Sequence, residues 1–142
     1  MDSPTVLCID DRLQVLELHK ASLERHGYSV KIASSSYSAM QTLEEETSVA
    51  VVLLEYKEEG MDAEAVAYHI KQRFPNLPII LLSAYFEMPE RILWLVDAYV
   101  MRSELPEGLV QVIEAVTRRT QTDNARELTP HSNERFERKA AA

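Results

Sequence analysis

Five polar residues of this chain stand at or just beyond the ends of apolar runs, and together they could form a charged site. They are three carboxylates, one hydroxyl and one guanidinium: Asp10, Asp11, Glu55, Ser83 and Arg102. If the fold brings the carboxylates together they repel one another, and at least one of them has a raised pKa unless a metal ion or Arg102 compensates the charge. The sequence therefore predicts a strongly acidic site that needs a cation.

The segments that carry these residues alternate between strand and helix patterns. Apolar or alternating runs predict five strands, near residues 5–9, 28–33, 49–54, 79–82 and 99–100. Helical periodicity follows each strand, with start or stop signals at Gly27, residues 34–36, Asp62, Pro89 and Pro106. This alternation predicts an α/β fold with a parallel sheet and helices on both faces. Ligands of such folds sit beyond the carboxyl ends of the strands, where the five polar residues are expected to meet.

The order of these motifs over about residues 5–117 resembles the receiver domains of two-component response regulators. VLCIDD resembles the first strand with its acidic pair, HGYSV the second strand, and VVLLEY with GMDA the phospho-acceptor strand and its loop. PNLPIILLSA resembles the fourth strand with its switch hydroxyl, and AYVMRS the last strand with its aromatic and basic residues. The resemblance implies a flavodoxin-like doubly wound (βα)5 parallel sheet with strand order 2-1-3-4-5, in a receiver-like domain over residues 1–119.

The resemblance also implies a role for each site residue. Asp10, Asp11 and Glu55 would be the ligands of a divalent cation, Mg²⁺, which prefers hard oxygen ligands and bridges to phosphate oxygens. Ser83 would be the hydroxyl that senses a phosphoryl group, and Tyr99 the aromatic residue whose rotamer is coupled to it. Arg102, which follows the last strand, would complete the switch.

Two positions depart from the family pattern, and both are close to the chemistry. Glu55 stands where the family has the phospho-acceptor Asp, and its extra methylene moves the carboxylate outward by about 1.5 Å, enough to spoil an in-line phosphoryl geometry. Arg102 stands where Lys is expected, so an ion pair between Glu55 and Arg102 is predicted. If the rest of the site is intact, Glu55→Asp is expected to restore Mg²⁺-dependent phosphorylation.

Smaller departures concern the neighbouring segments. The loop that begins at Lys57 lacks the proline that the family usually has there, and the segment from Ser83 to Arg102 is short, which predicts a truncated or displaced fourth helix.

Each site residue also has a plainer interpretation. Asp10 and Asp11 could cap the first helix, Glu55 could be a solvated loop acid, Ser83 could cap the turn that follows it, and Tyr99 could be a half-buried strand aromatic. These alternatives remain open at the level of the sequence.

The resulting hypothesis is a stand-alone atypical receiver, not an enzyme, that acts in two-component-type signal transduction through protein contacts and independently of phosphorylation. The alternative is a conventional Mg²⁺-dependent, phosphoryl-accepting response regulator. A phosphatase of similar topology is disfavoured, because such enzymes typically carry a second acid two residues after the nucleophile, where this chain has Arg12.

The expected partners are signalling proteins, such as a histidine kinase or a downstream effector. A homodimer through the face formed by the fourth helix, fifth strand and fifth helix is also expected, because the segment around Trp94 is apolar all round; packing inside the core is the alternative. The net charge of −8 argues against nucleic acid as a partner.

The remaining features concern location and the C-terminal segment. No apolar run approaches the roughly 20 residues that a membrane span requires, and the single cysteine, Cys8, suits a reducing compartment, so a cytoplasmic protein is predicted. Residues 120–142 are polar and predict a flexible tail.

Overall fold

The computed structural model of the chain describes residues 4–85 and 87–125. The strands are β1 (Thr5–Ile9), β2 (Ser29–Ala33), β3 (Val49–Glu55), β4 (Ile79–Ser83) and β5 (Ala98–Met101). The helices are α1 (Leu13–Arg25), α2 (Ser36–Glu45), α3 (Ala63–Arg73), α4 (Glu90–Leu93) and α5 (Glu107–Ala125), with a 3₁₀ turn at Arg102–Glu104. Strand and helix alternate throughout, as the sequence predicts.

The five strands form one parallel sheet in the order β2-β1-β3-β4-β5, which confirms the predicted topology. The register aligns the carboxyl ends of the strands: Ile9 lies beside Leu54, and Ser83 beside Met101. This alignment brings the residues at and beyond these ends to one edge of the sheet.

Both faces of the sheet are covered, so the strands read as continuous apolar runs. Leu7 and Ile9 of β1 face a cluster that includes residues of α2, α3 and α4. Val6 and Cys8 face the opposite cluster, which includes residues of α1 and α5. Every residue of β1 and β4 is buried, so the packing of these strands holds their carboxyl ends in place. Burial also raises the pKa of the Cys8 thiol to about 12, so this cysteine is an inert core residue.

Local signals in the sequence set several helix ends. Ser35 caps α2 by accepting a hydrogen bond from the backbone N–H of Ser38 at 3.0 Å. Asp62 caps α3 in the same way, with the N–H of Ala65 donating at 3.1 Å. Gly27 has a φ of +90° directly after α1, the left-handed conformation that ends helices. Among the residues that the structure describes, no helix is both long and apolar enough to cross a bilayer.

The lengths of α4 and α5 bear on two expectations from the sequence. α4 spans only Glu90–Leu93, in keeping with the shortening that the sequence predicts. α5 continues to Ala125, so the domain boundary predicted at residue 119 falls within this helix. Backbone hydrogen bonding propagates a helix beyond the end of its apolar stripe, and the loss of periodicity after residue 119 does not mark its last turn. Residues 126–142 of the predicted tail, which was placed at 120–142, lie outside the described residues.

Candidate functional site

Three of the predicted site residues are buried at the carboxyl edge of the sheet. Asp10 follows β1 and is 2% exposed, Glu55 ends β3 and is 5% exposed, and Ser83 ends β4 and is fully buried. Buried carboxylates require a charged or hydrogen-bonding partner, because desolvation of an unpaired charge is costly. Asp10 and Glu55 therefore need positively charged partners.

Arg102 is a charged partner of Glu55. Its Nη2 donates to Oε1 of Glu55 in a close ion pair, which is the contact that the sequence predicts. Arg102 lies in the 3₁₀ turn directly after β5, and its side chain is partly exposed, so the guanidinium reaches Glu55 from the solvent side. Burial lowers the pKa of Arg102, and the positive charge of Arg12 lowers it further.

Arg12 is a charged partner of both Asp10 and Glu55. Its Nη2 donates to Oδ2 of Asp10 at 3.0 Å and to Oε1 of Glu55 at 3.2 Å, and its Nε donates to Oδ1 of Asp10 at 3.2 Å. The hydrogen bonds and charge of Asp10 raise the pKa of this guanidinium. Arg12 thus bridges two carboxylates at the ends of the adjacent strands β1 and β3. This role of Arg12 was not predicted from the sequence, although the position of the residue just beyond a strand end is a signal that could have identified it.

Asp10 and Asp11 do not cap α1 in the usual way. Arg12 occupies the N-cap position, and no side chain hydrogen-bonds to the first turn there. Oδ1 of Asp10 instead accepts from the backbone N–H of Arg12 at 2.9 Å, which fixes the turn between β1 and α1. The capping interpretation of this acidic pair is wrong.

Lys57 neutralises the third carboxylate. Its Nζ forms a close ion pair with Asp11 and lies 3.7 Å from Oδ1 of Asp10. The backbone N–H of Met61 also donates to Asp11, at 2.9 Å. Lys57 lowers the pKa of Asp11 through this hydrogen bond, the hydrogen bond from Met61 lowers it further, and burial opposes both. From the sequence, Lys57 was recognised only as part of an unusual loop, and its contact with Asp11 was not predicted.

The contact between Lys57 and Asp11 predicts a specific pH dependence. A carboxyl whose pKa is depressed by folding stabilises the native state above its unfolded pKa, and that contribution is lost as the pH falls through the folded pKa. Lys57→Met is therefore expected to raise the pKa of Asp11 and to lower stability at neutral pH, with variant and wild type converging in acid. Carboxyl NMR titration and urea unfolding at several pH values measure both effects.

The matched control is Lys31→Met, because Lys31 pairs with Glu46 at 3.7 Å on the exposed surface. This control is expected to leave Asp11 and the acid limb of the stability profile unchanged. An Asp11 pKa that is the same in Lys57→Met and wild type would contradict the prediction.

Gly60 permits the close approach of the loop to Asp11. Its φ is +95°, and a Cβ at this position would collide with Oδ2 of Asp11, the oxygen that accepts from the backbone N–H of Met61, and would crowd Lys57. Gly27 has a similar φ of +90°, but a Cβ there meets nothing within 4 Å. Gly27→Ala therefore reports the backbone cost alone, about 1–2 kcal/mol, and Gly60→Ala is expected to cost more by roughly 1 kcal/mol or above. Equal losses in urea unfolding would contradict this difference.

The contacts of Ser83 and Tyr99 in the structure are those of the plainer interpretations. Oγ of Ser83 accepts from the backbone N–H of Tyr85 at 2.9 Å, so the hydroxyl closes the turn after β4. Tyr99 on β5 is partly buried and packs against the cluster that contains Leu81. Their role as a switch stays a prediction.

The fold and this edge of the sheet define a receiver-type signalling domain. The family model described as response regulator receiver domain matches residues 6–101, and the chain therefore belongs to that family. Receiver domains are signalling modules that interact with histidine kinases and effectors.

Individual relatives agree with this assignment. The transcriptional regulatory protein SrrA of Staphylococcus aureus is 29% identical over 138 residues, which cover 95% of this chain and 56% of that protein. The chain thus spans little more than half the length of this relative. The response regulator TrrA of Thermotoga maritima, solved in complex with Mg²⁺ and BeF, is 26% identical with a TM-score of 0.71, covering 82% of this chain and 99% of TrrA. A CheY-like receiver domain protein from Methanospirillum hungatei has a TM-score of 0.74 at 21% identity, over 86% of this chain and 99% of that one.

Receiver domains typically bind Mg²⁺, but the arrangement of this site does not fit a divalent ion. Both oxygens of Asp10 accept from Arg12, and Asp11 is held by Lys57. Within the described part of the chain, no three His, Cys, Asp or Glu side chains are grouped as a metal site. The ligand set of Asp10, Asp11 and Glu55 stays a prediction, and these contacts count against it.

Proposed function

We propose that this chain is an atypical receiver that signals through protein contacts, in the cytoplasm and without phosphorylation. Glu55 takes the position of the phospho-acceptor Asp and holds one conformation of the domain. The observation that carries this proposal is the ion pairing of buried Glu55 with two guanidinium groups, those of Arg12 and Arg102.

The ion pairs disfavour phosphoryl transfer to Glu55. An acceptor carboxylate needs an oxygen that is free to attack in line, at a position accurate to better than about 1 Å. Oε1 of Glu55 accepts from both arginines, and Oε2 is buried without a hydrogen-bond partner. The pair of Glu55 and Arg102 replaces the phosphoryl group as the feature that Ser83 and Tyr99 sense. Glu55 mimics the phosphorylated acceptor only in part, because its carboxylate carries one negative charge whereas a phosphoryl group carries about −1.5 to −2.

Incubation with acetyl phosphate and Mg²⁺ tests the proposal directly. Intact mass spectrometry and radiolabelling are expected to detect no labile phosphoryl group on the wild-type chain. TrrA, which has been solved with Mg²⁺ and BeF, serves as the positive control in the same buffer. A hydroxylamine-labile acyl phosphate that maps to Glu55 would overturn the proposal. That result would favour the conventional Mg²⁺-dependent regulator, the alternative that the acidic pair of Asp10 and Asp11 supports.

The partners in this proposal are a histidine kinase, a downstream effector or a second copy of the chain. The negative net charge of −8 supports protein partners over nucleic acid and membrane surfaces. Support for a homodimer through the α4–β5–α5 face comes from Trp94, which follows the short helix α4 and is 45% exposed. Large aromatic side chains that remain exposed are frequent anchors of interfaces.

Trp94→Ser is expected to shift a concentration-dependent dimer toward monomer by at least about tenfold in Kd, since one anchor residue often contributes 2 kcal/mol or more. The matched control is Tyr37→Ser, because Tyr37 is 77% exposed on α2, away from the proposed face. Sedimentation velocity over a range of concentrations measures the change. A wild-type chain that stays monomeric at high concentration would refute the dimer.

A further inference from the structure

The position between Asp10 and Glu55 holds a side chain of the protein itself. Nη2 of Arg12 lies 3.0 Å from Oδ2 of Asp10 and 3.2 Å from Oε1 of Glu55. We propose that Arg12 is a built-in counter-cation that takes the place of the divalent metal, so that Mg²⁺ binds only when Arg12 leaves. The inference deepens the proposed function and rests on the assignment of Glu55 to the acceptor position.

The charges of the pocket support this role. Asp10, Asp11 and Glu55 contribute three negative charges, and the side chains that contact them are Arg12, Lys57 and Arg102. The pocket is therefore neutral without an added ion. A divalent cation that entered beside Arg12 would meet like charge at short range, and the same burial that strengthens the ion pairs strengthens this repulsion.

The hydrogen bonds of Arg12 occupy the oxygens that a metal would need. Its backbone N–H and Nε both donate to Oδ1 of Asp10, and Nη2 donates to Oδ2. Mg²⁺ demands nearly octahedral coordination by oxygen at short distances, and carboxylate oxygens that accept from a guanidinium are not available in that geometry. Arg12 thus excludes the metal through both charge and geometry.

Because the Arg12 side chain is partly exposed, we expect that a mutation of Arg12 would allow Mg²⁺ to bind. The Arg12 side chain is 44% exposed, whereas those of Asp10 and Glu55 are 0% and 3% exposed. Arg12 therefore lies at the mouth of the pocket, and its truncation removes no core packing. Oδ2 of Asp10 and Oε1 of Glu55 both lose a donor when Arg12 is removed, so the pocket retains carboxylate oxygens for a cation.

The test measures binding of Mg²⁺ alone, in the absence of any phosphoryl donor. Wild type, Arg12→Ala, Arg12→Gln and the control Arg91→Ala are compared by isothermal titration calorimetry and thermal unfolding, in EDTA and in increasing MgCl₂. Arg91 pairs with Glu64 on the exposed surface, and no ion pair among the described residues joins it to Asp10, Asp11 or Glu55. Wild type and Arg91→Ala are expected to show no saturable response. The two Arg12 variants are expected to have a lower Tm in EDTA and to gain about 5 °C or more at saturating Mg²⁺.

Two results would overturn the inference. One is saturable Mg²⁺ binding by wild type with a Kd within about threefold of that of the Arg12 variants. The other is folded Arg12 variants that gain no Mg²⁺ binding. If the variants fail to fold, the wild-type chain decides: the Arg12 Nε–H resonance in ¹⁵N NMR is expected to be unchanged by Mg²⁺, and a saturable shift would refute the role of Arg12.

Failure of this inference is distinguishable from failure of the proposed function. Mg²⁺ binding to wild type that is as tight as binding to the Arg12 variants, without labelling by acetyl phosphate, overturns the role of Arg12 alone. Labelling of Glu55 overturns the proposed function, whatever the affinity for Mg²⁺.

Discussion

The double variant Arg12→Ala, Arg102→Ala is expected to be less stable than wild type by about 3–5 kcal/mol in metal-free buffer. Both guanidinium groups that contact Glu55 are removed, and the side chain of Glu55 is only 3% exposed. A buried carboxylate that loses its partners pays the full cost of desolvation or must take up a proton. Urea unfolding in EDTA, followed by circular dichroism, measures the loss.

The single variants are expected to cost about 1–2 kcal/mol each, because either one leaves a guanidinium on Oε1 of Glu55. The double variant therefore loses more than the sum of the singles, which a double-mutant cycle isolates. Adding Glu55→Met to the double variant is expected to recover much of the stability, since an apolar side chain of similar size leaves no unpaired charge. Arg91→Ala controls for a surface ion pair and is expected to cost at most about 1 kcal/mol. The prediction would be contradicted if the losses of the two single variants simply added up in the double variant and each stayed below about 1 kcal/mol.

Much of this site follows from the sequence, because parallel strands place their carboxyl ends at one level. The apolar run of β3 predicts a strand buried on both faces, so the residue that ends it, Glu55, has to emerge at the edge. Arg102 follows the last strand for the same reason. In this strand order only β4 separates β3 from β5, a distance of about 10 Å that the long side chain of an arginine can bridge, and opposite charges there predict an ion pair. The pairing of Glu55 and Arg102 required no knowledge of side-chain conformations.

The roles of Arg12 and Lys57 could not be obtained in this way. Both lie in connections after strands, where the direction of a long side chain depends on the turn and on the charges that it meets. Arg12 reaches Glu55, which is 43 positions away in the sequence, and Lys57 reaches Asp11, which is 46 positions away. The sequence shows three carboxylates that need a cation, but not which of several basic residues provides it.

Glu55→Asp alone is not expected to restore phosphorylation by acetyl phosphate. The sequence by itself suggests that it would, on the condition that the remaining site is intact, and the position of Arg12 removes that condition. The shorter side chain restores the reach of an acceptor Asp, yet Arg12 still holds both oxygens of Asp10. Combining Glu55→Asp with Arg12→Ala and Arg102→Lys is expected to raise Mg²⁺-dependent labelling at least about tenfold over the single variant, a difference of about 1.4 kcal/mol in the barrier.

The order in which labelling appears identifies the barrier to phosphorylation. If Glu55→Asp is labelled as well as the triple variant, the length of the side chain at position 55 is the only obstacle, and Arg12 yields to the metal. If labelling appears only when Arg12→Ala is added, the obstacle is the cation between Asp10 and the acceptor. A matched triple variant with Arg91→Ala in place of Arg12→Ala keeps the number of charges equal. Labelling of that control at the level of the Arg12 triple would show that a general loss of positive charge, and not the vacated position beside Asp10, explains the gain.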